Sequence, residues 1–175
     1  MPAAIGHLYL LALGSNRRHR RYGAPCTVLA AALEHLAAQG VTVVGRSAVM
    51  ETAPLGPSSR RYANAAALVA TALGPPALLA LLKRVERAFG RRRGRRWGTR
   101  VLDLDIVLWS GGRWASPPGA QRLIVPHPAF RERAFVLGPA AAIAPGWRDP
   151  GPGATTGLTL RQLRARLTRS GTLPR

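Results

Sequence analysis

The stretch VLDLDIVLW, residues 101–109, carries the clearest strand pattern in the chain. Successive side chains of a strand point to opposite faces, so Asp103 and Asp105 share one face. The other face is predicted to carry four apolar residues, namely Leu102, Leu104, Ile106 and Leu108. Two acidic side chains are therefore expected to project together from one side of a strand whose other side is apolar.

Outward from this strand, strand and helix patterns alternate along the chain. The predicted elements are strands over 8–13, 41–50 and 62–71, a helix over 27–39, and a second helix that Pro75 and Pro76 open. Thr27 is the predicted N-cap of the first helix, and Gly40 is the glycine that follows its end. The order strand, helix, strand, strand, helix, strand is that of a split βαβ unit. We therefore predict an α+β fold, a ferredoxin-like three-layer α-β-α sandwich with a mainly antiparallel central sheet.

The C-terminal part of the chain carries weaker patterns. We predict a loop over 114–121, a short strand over 123–125, and a turn or short helix with irregular chain over 130–144. A final helix is predicted over about 159–168, where Thr159 and Gln162 form a capping-box pattern. These elements predict a single domain over 1–175, with a core over about 8–145 and a Gly- and Pro-rich segment over 146–157.

The charge of the chain is strongly positive. Its 175 residues include 26 lysines and arginines against 7 aspartates and glutamates, which gives a formal net charge of +19. Such a field favours anionic partners, whether phosphates, nucleic acid or acidic lipid headgroups. Cys26 is the only cysteine, which excludes an internal disulfide and a cysteine-based metal site. No apolar stretch approaches the roughly 18 residues of a membrane span, so we expect a soluble, cytoplasmic protein.

The paired aspartates suit a metal site. Two positions along a strand span about 6.5 to 7 Å, so carboxylates at that separation can hold two hard cations roughly 4 Å apart. Oxygen ligands favour magnesium over zinc, and no histidine or cysteine with zinc-like spacing lies nearby in the sequence. Two solvated aspartates on an exposed sheet face are the commoner occurrence of this pattern. We favour a functional pair because aspartate is disfavoured in strands and this chain has few acids.

An arginine-rich segment precedes the strand. Its members can make bidentate contacts with a triphosphate: Arg91, Arg92, Arg93, Arg95, Arg96 and Arg100. A solvated face or a nucleic-acid patch is the alternative, and we prefer that alternative for Arg92 and Arg95. Trp97 offers a flat surface for stacking on a heterocycle, and a buried core tryptophan is an equal alternative.

Other polar side chains are suited to a planar ligand. Tyr62 and Asn64 are two positions apart on a predicted strand and share one face, and Asn64 presents both a donor and an acceptor. A polar pair at a sheet edge is the alternative. His127 lies between Pro126 and Pro128 in a stiff segment, although an isolated histidine is more often structural. No P-loop or Rossmann glycine motif follows a strand, so any ATP site must be built in another way.

Five motifs in collinear order together resemble the 6-hydroxymethyl-7,8-dihydropterin pyrophosphokinase family. They are LALGSN (11–16), ETAPLGP (51–57) with Tyr62 and Asn64, RWGTRVLDLDI (96–106), VPHP (125–128) and RAFVL (133–137). The resemblance covers about residues 8 to 145. This family transfers pyrophosphate from ATP to a pterin alcohol and releases AMP. The resemblance therefore implies an enzyme of folate biosynthesis.

The resemblance also implies roles for individual residues. Asp103 and Asp105 would bind two magnesium ions that bridge the phosphates of the co-substrate ATP, and Arg91 and Arg100 would act with them in catalysis. The implied pterin pocket comprises Thr52, Pro54, Leu55, Tyr62, Asn64, Trp97 and Phe135. The implied ATP contacts are Glu86, Arg91, Arg93, Arg96, Trp97, Arg100, Ile106, Arg122, His127 and Arg133. If the reaction uses a general base, Asp105 is the nearest carboxylate in the family pattern.

The expected partners are small molecules, the pterin alcohol and ATP, and we expect a monomer without a membrane or a specific nucleic-acid partner. The main alternative is a small nucleic-acid-binding protein, which explains the charge but gives the two aspartates no purpose. A metal-dependent nuclease is a third possibility. A ferredoxin-like regulatory module is the fourth, and it leaves Asn64, Trp97 and the aspartates without a joint role.

Overall fold

The computed structural model describes residues 6–53, 61–90 and 101–170. The strands in these ranges are β1 (His7–Ser15), β2 (Thr42–Arg46), β3 (Met50–Thr52), β4 (Tyr62–Thr71), β5 (Asp103–Trp109), β6 (Trp114–Ala115) and β7 (Ile124–Val125). The helices are α1 (Pro25–Ala38), α2 (Pro75–Ala88), α3 (Ala134–Ile143) and α4 (Leu160–Arg169), with a 3-10 turn at Phe130–Glu132. The predicted α+β class is confirmed.

The central sheet places β5 at one edge. Its strand order is β2-β4-β1-β5, all neighbours are antiparallel, and β3 also pairs with β4. A separate two-stranded ribbon joins β6 to β7. Since β2 and β3 share the place of one strand alongside β4, the arrangement is that of a split βαβ sandwich. The predicted antiparallel, ferredoxin-like sheet is confirmed.

Helices cover both faces of the sheet. The core beneath α1 and α2 includes Leu11, Leu13, Leu29, Leu36, Leu78, Leu82 and Phe89. The core beneath α3 and α4 includes Leu10, Ala66, Leu108, Phe130, Leu137, Ala140 and Leu163. The two cores lie on opposite faces because neighbouring residues of β1 alternate between them. This is the predicted three-layer sandwich. Within the described ranges, no helix is long and apolar enough to cross a membrane.

A β-bulge in β5 corrects one of the predicted strand faces. Leu10 pairs with Leu108 and Leu11 pairs with Ile106, which leaves Val107 as the extra residue. Ile106 lies in the core beneath α1 and α2, whereas Leu108 lies in the core beneath α3 and α4. The prediction that these two side chains share a face is therefore wrong, because strict alternation ends at the bulge.

The first helix begins two residues before its predicted N-cap. Pro25 is the first helical residue and Ala24 is the N-cap, since the fixed φ of proline suits the first helical position. Thr27 lies inside the first turn, where its hydroxyl donates to the carbonyl of Ala24 at 2.7 Å. The N-cap prediction is wrong. Gly40 follows the helix end with a φ of 83°, as the sequence predicts.

The predicted strand over 41–50 is two strands. Its pairing with β4 shifts register between Val43 and Gly45 and stops after Arg46, and β3 resumes it at Met50. The single-strand prediction is therefore wrong, because residues 47–49 leave the ladder and the hydroxyl of Ser47 accepts from the backbone N of Ala66 at 2.9 Å.

The C-terminal predictions are partly right. The first two residues of the predicted loop over 114–121 form β6, so that loop is shorter than predicted. The stretch 130–144 contains the 3-10 turn and α3. The capping box at α4 is confirmed, because Thr159 Oγ1 accepts from the backbone N of Gln162 and the Gln162 side chain accepts from the backbone N of Thr159.

A buried ion pair joins the Gly- and Pro-rich segment to the 3-10 turn. Asp149 is 1% exposed, and Nε and Nη2 of Arg131 each donate to it at 2.6 Å. The backbone N of Gly151 and the hydroxyl of Thr155 donate to the same carboxylate at 2.8 Å. Burial alone would raise the pKa of Asp149, but these hydrogen bonds and the charge of Arg131 outweigh burial and hold that pKa below its ordinary value.

We expect the free energy of unfolding of Asp149→Asn to fall less steeply than that of the wild type as the pH is lowered. A carboxyl whose pKa is lower in the folded chain contributes stability that is full above its ordinary pKa and is lost as the pH falls through the folded pKa. Urea unfolding of the wild type and the variant between about pH 6 and pH 2.5 measures the difference. Glu34→Gln, a change of an exposed acid on α1, is the control. Parallel curves for Asp149→Asn and wild type would contradict the assignment.

Candidate active site

Asp103 and Asp105 face the layer formed by α3 and α4. Asp103 pairs with Gly14 and Asp105 with Ala12 of β1, while Leu104 between them is buried in the opposite core. Ala12 packs against the core beneath α3 and α4, and paired residues on neighbouring strands project from the same face. The predicted common face of the two carboxylates is confirmed.

A glycine separates these carboxylates from a buried amide. Gly14 pairs with Asn64 of β4 on one side and with Asp103 of β5 on the other, so the three residues form a row across the sheet. Asn64 is 6% exposed, and its Nδ2 donates to Thr52 Oγ1 at 2.8 Å. Neighbouring strands lie about 4.8 Å apart, which puts about 10 Å between the backbones at the two ends of the row. Because Gly14 has no side chain, a gap remains between an amide end and a carboxylate end.

The environment of Asp105 disfavours its charge. Burial, and after it the charge of Asp103, raises the pKa of Asp105, while His127, Lys83 and Arg133 act in the opposite direction. Two neighbouring carboxylates in a partly buried position repel each other. A cation bound between them would relieve this repulsion.

His127 lies in the segment that follows β7. Its backbone N donates to the carbonyl of Val107 at 3.0 Å, which attaches the segment to β5, and its Nδ1 accepts from the backbone N of Ala129 at 3.2 Å. Burial lowers the pKa of His127, and the charge of Asp105 only partly opposes this. A lowered pKa favours the neutral imidazole, and since Nδ1 accepts a hydrogen bond, the ring proton of that form lies on Nε2, which can act as a donor.

Arg133 joins the site from the start of α3. It is the N-cap residue of that helix, and its guanidinium carbon lies 5.8 Å from the centroid of the Phe135 ring. The charge of Arg133 acts on both Asp105 and His127. Phe135 packs partly buried against the core beneath α3 and α4. The fold thus brings a cation, a neutral imidazole, a carboxylate and an aromatic ring together from three separate elements.

The outer edge of β5 is closed by side chains of α2. Glu86 is fully buried, and its Oε1 accepts from the backbone N of Leu104 at 2.8 Å. Lys83 donates to the same oxygen at 2.8 Å and to the carbonyl of Leu104 at 3.5 Å. Leu104 lies between the two aspartates, so Lys83 and Glu86 fix the strand segment that carries them. Sequence reasoning missed Lys83, although its i,i+3 spacing from Glu86 on a helix is a visible signal.

The remaining predicted positions differ in how they relate to this site. The side chain of Ile106 is buried in the core beneath α1 and α2, so only its backbone can contact a nucleotide. Arg122 is exposed just before β7, and Tyr62 pairs with Thr52 where β3 meets β4. The contact of Glu86 with ATP stays a prediction. Seven predicted residues lie outside the described ranges: Pro54, Leu55, Arg91, Arg93, Arg96, Trp97 and Arg100.

A cavity of about 370 Å³ lies on the other face of the sheet. Leu13, Leu29 and Ala65 in its lining belong to the core beneath α1 and α2, and neither aspartate lines it. The candidate site is therefore the row Asn64, Gly14, Asp103 and its surroundings, on the face of α3 and α4.

The carboxylate oxygens at the site suit a cation that binds together with the phosphate of a substrate. Within the described ranges, no three His, Cys, Asp or Glu side chains cluster closely enough to hold a metal ion. Asp103 and Asp105 supply two carboxylates. Magnesium commonly takes one or two protein carboxylates and completes its shell with water and substrate phosphate. The two aspartates therefore fit a magnesium ion bound together with a phosphate group.

We expect Glu86→Ala to cost about 1 to 3 kcal/mol of folding stability, because it leaves the buried N–H of Leu104 without its acceptor. Glu86→Gln keeps an oxygen at that place and should cost less. Glu34→Ala on the exposed face of α1 is the matched control and should change the stability by less than about 0.5 kcal/mol. Urea unfolding measures all three variants, and a Glu86→Ala chain as stable as the Glu34→Ala chain would contradict the edge contact.

Comparison with known proteins finds a matching family model and similar relatives. The family model described as 7,8-dihydro-6-hydroxymethylpterin-pyrophosphokinase (HPPK) matches residues 10–145. A 2-amino-4-hydroxy-6-hydroxymethyldihydropteridine pyrophosphokinase of Methylorubrum extorquens is 42% identical over 163 residues, which cover 92% of this chain and 94% of the relative. The protein of the same name from Bacillus subtilis is 39% identical over 142 residues, 79% of each chain.

A solved structure supports the fold. The HPPK-DHPS chain of Plasmodium falciparum, crystallised with SDX-DHP, matches with a TM-score of 0.66 and 11% identity. The match covers 95% of this chain and 46% of that chain, so this similarity concerns the fold alone. From the family model and the relatives together, the chain belongs to the 7,8-dihydro-6-hydroxymethylpterin-pyrophosphokinase family.

Proposed function

We propose that this chain transfers the pyrophosphoryl group of ATP to 6-hydroxymethyl-7,8-dihydropterin, in folate biosynthesis, at the site on β5. Membership of the family supports the reaction. The observation that carries the proposed location is the row Asn64, Gly14, Asp103, in which the backbones that carry an amide and a carboxylate lie about 10 Å apart with a glycine between them. One end suits a planar heterocycle and the other suits phosphate held through a cation.

The amide end of the row is the proposed pterin site. Because Nδ2 of Asn64 already donates to Thr52, its Oδ1 and its second N–H can pair with the donor and acceptor edge of a pterin. Tyr62 and Phe135 supply aromatic surface for the ring. Burial of Asn64 favours this role, because a ligand that leaves a buried amide unpaired is strongly disfavoured. Pro54, Leu55 and Trp97 complete the proposed pocket as predictions from the sequence.

The carboxylate end is the proposed phosphate site. Asp103 and Asp105 would hold two Mg²⁺ ions, which when bound neutralise phosphate charge and orient the transferred group. Arg133 supplies a fixed positive charge beside Asp105, and Nε2 of His127 supplies a neutral donor. The further ATP contacts remain predictions from the sequence: Glu86, Arg91, Arg93, Arg96, Trp97, Arg100, Ile106 and Arg122.

In the proposed reaction, the hydroxymethyl oxygen of the pterin attacks the β-phosphorus of ATP in line. A new O–P bond forms, the bond from the β-phosphorus to the oxygen bridging it to the α-phosphorus breaks, and that oxygen leaves with AMP. The hydroxyl proton goes to water or to a base, and Asp105 is the candidate base. The chain contributes mainly by orienting the two substrates and by balancing developing charge.

The identity of the nucleotide product tests the reaction. Purified chain incubated with the pterin alcohol and MgATP should form AMP and the pterin diphosphate in equal amounts, resolved by chromatography. EDTA should abolish turnover, and excess Mg²⁺ should restore it. Formation of ADP in place of AMP would contradict pyrophosphoryl transfer.

The aspartate pair is tested by substitution. Asp103→Asn and Asp105→Asn should each lower kcat by about 100-fold or more while the chain stays folded, since each removes charge at the point where phosphate is held. Circular dichroism and urea unfolding verify the fold, and Glu34→Gln is the control for loss of an acid elsewhere. Wild-type turnover in either aspartate variant would contradict a metal site on β5.

A monomeric state and a cytoplasmic location stay predictions.

A further inference from the structure

We propose that the Arg131–Asp149 ion pair is a positioning device that fixes the turn between His127 and Arg133 and so aims both side chains at the phosphate end of the site. The proposal rests on the proposed function, because the roles of His127 and Arg133 come from it. Neither Arg131 nor Asp149 touches the aspartate pair. Their effect on the reaction would pass through the turn.

Several hydrogen bonds restrain the geometry of the ion pair. One carboxylate, 1% exposed, accepts from two nitrogens of one guanidinium at 2.6 Å each, from the backbone N of Gly151 and from the hydroxyl of Thr155. A bidentate contact fixes the plane of the guanidinium as well as its distance, which a single hydrogen bond does not do. Arg131 therefore has little freedom to rotate.

Two further contacts hold the guanidinium from other directions. Its carbon lies 4.5 Å from the centroid of the Phe130 ring, and Phe130 is fully buried between the sheet and the helices. The backbone also approaches the guanidinium so closely that a Cβ at Gly151 would overlap Nη2 of Arg131. Only glycine leaves room for the arginine there, so Gly151 is part of the same device.

The turn that carries Arg131 is bonded directly to both site residues. The backbone N of Phe130 donates to the carbonyl of His127 at 3.1 Å, and the backbone N of Arg133 donates to the carbonyl of Phe130 at 3.4 Å. The carbonyl of Arg133 then accepts from the first turn of α3. A rotation of the turn would therefore move the imidazole and the guanidinium together, away from Asp105.

The charges around the Arg131–Asp149 ion pair also favour a positioning role for it. The site needs Arg133 to point towards carboxylates and phosphate, and Arg131 is a second arginine two residues away on the same turn. A buried acid 18 positions later binds Arg131 and keeps its charge directed away from that site. The segment 146–157 contains no helix or strand, so this side-chain contact ties it to the turn.

The test compares variants of the device with two matched controls, all measured at a temperature where each chain is folded. The device is altered in Arg131→Lys, which keeps the charge and loses the fork, in Asp149→Asn, and in Gly151→Ala, which displaces the arginine. Arg148→Ala is the first control, because Arg148 lies in the same segment but donates to the carbonyl of Gly157. Leu36→Ala is the second control, because it loosens the opposite core, beneath α1 and α2, which does not include the turn.

We expect the three device variants to raise KM for ATP or lower kcat by roughly 10-fold, because small displacements of positioned groups have large kinetic effects. The dissociation constant of the pterin alone should change less than about twofold, since Asn64 is held by other elements. Both controls should keep wild-type KM for ATP, even where Leu36→Ala loses as much stability as Asp149→Asn. Arg131→Lys should recover part of the effect relative to the other two.

A second measurement needs no turnover. At one fixed pH, the ring resonances of His127 in NMR spectra should shift in the three device variants, while those of His7 and His35, which lie elsewhere, stay in place. This separates failure of the inference from failure of the proposed reaction, which would appear as a wild-type chain that forms no AMP. Device variants with wild-type kinetics and an unshifted His127 would overturn the inference. Equal kinetic losses in Leu36→Ala would overturn it as well.

Discussion

The candidate site depends on the pairing of β5, which among the described residues pairs with a strand on one side only. On that side β1 sets the register, so that Asp103 lies opposite Gly14 and Asp105 opposite Ala12. On the other side the carboxylate of Glu86 takes the place of a strand partner for Leu104. A strand end with no partner at this point would leave buried backbone groups unpaired. Two different kinds of contact thus hold the short segment that carries both aspartates.

Several of the few acidic side chains lie in or next to the elements that form the site. The chain has 7 aspartates and glutamates against 26 lysines and arginines, so acids have many possible partners. Glu86 and Asp149 are buried and bound by a lysine and an arginine, and each lies next to a site element. Asp103 and Asp105 lie together, where burial and, after it, their mutual repulsion raise the pKa of Asp105. That arrangement costs stability without a cation and is favoured when one binds.

Much of this architecture was predictable, because it follows from local rules. Alternation along β5 predicts the common face of the aspartates, and the helix stripes and the order of elements predict the sandwich. The errors arise where a longer-range contact overrides a local rule. The bulge at Val107, which moves Leu108 to the other core, is set by pairing with β1 and leaves no mark in the sequence. The pairing of Arg131 with Asp149 joins residues 18 apart through an irregular segment, which periodicity cannot reveal.

The candidate site divides in a similar way. Asn64, Asp103 and Asp105 are strand residues, so alternation alone gave their faces, whereas the gap at Gly14 appears only when three strands are placed in register. His127 and Arg133 come together through a turn whose shape depends on tertiary contacts. The motif resemblance found both residues, whereas physical reasoning from the sequence considered only His127, in its proline-flanked segment, and did not find Arg133.

The most direct test of the central claim is a crystal structure of the chain with Mg²⁺, a non-hydrolysable ATP analogue and the pterin alcohol. We expect magnesium at about 2.0 to 2.1 Å from carboxylate oxygens of both Asp103 and Asp105, with the pterin ring on the Asn64 side of Gly14. Magnesium bound only by phosphate and water, with both carboxylates outside its coordination shell, would contradict the account.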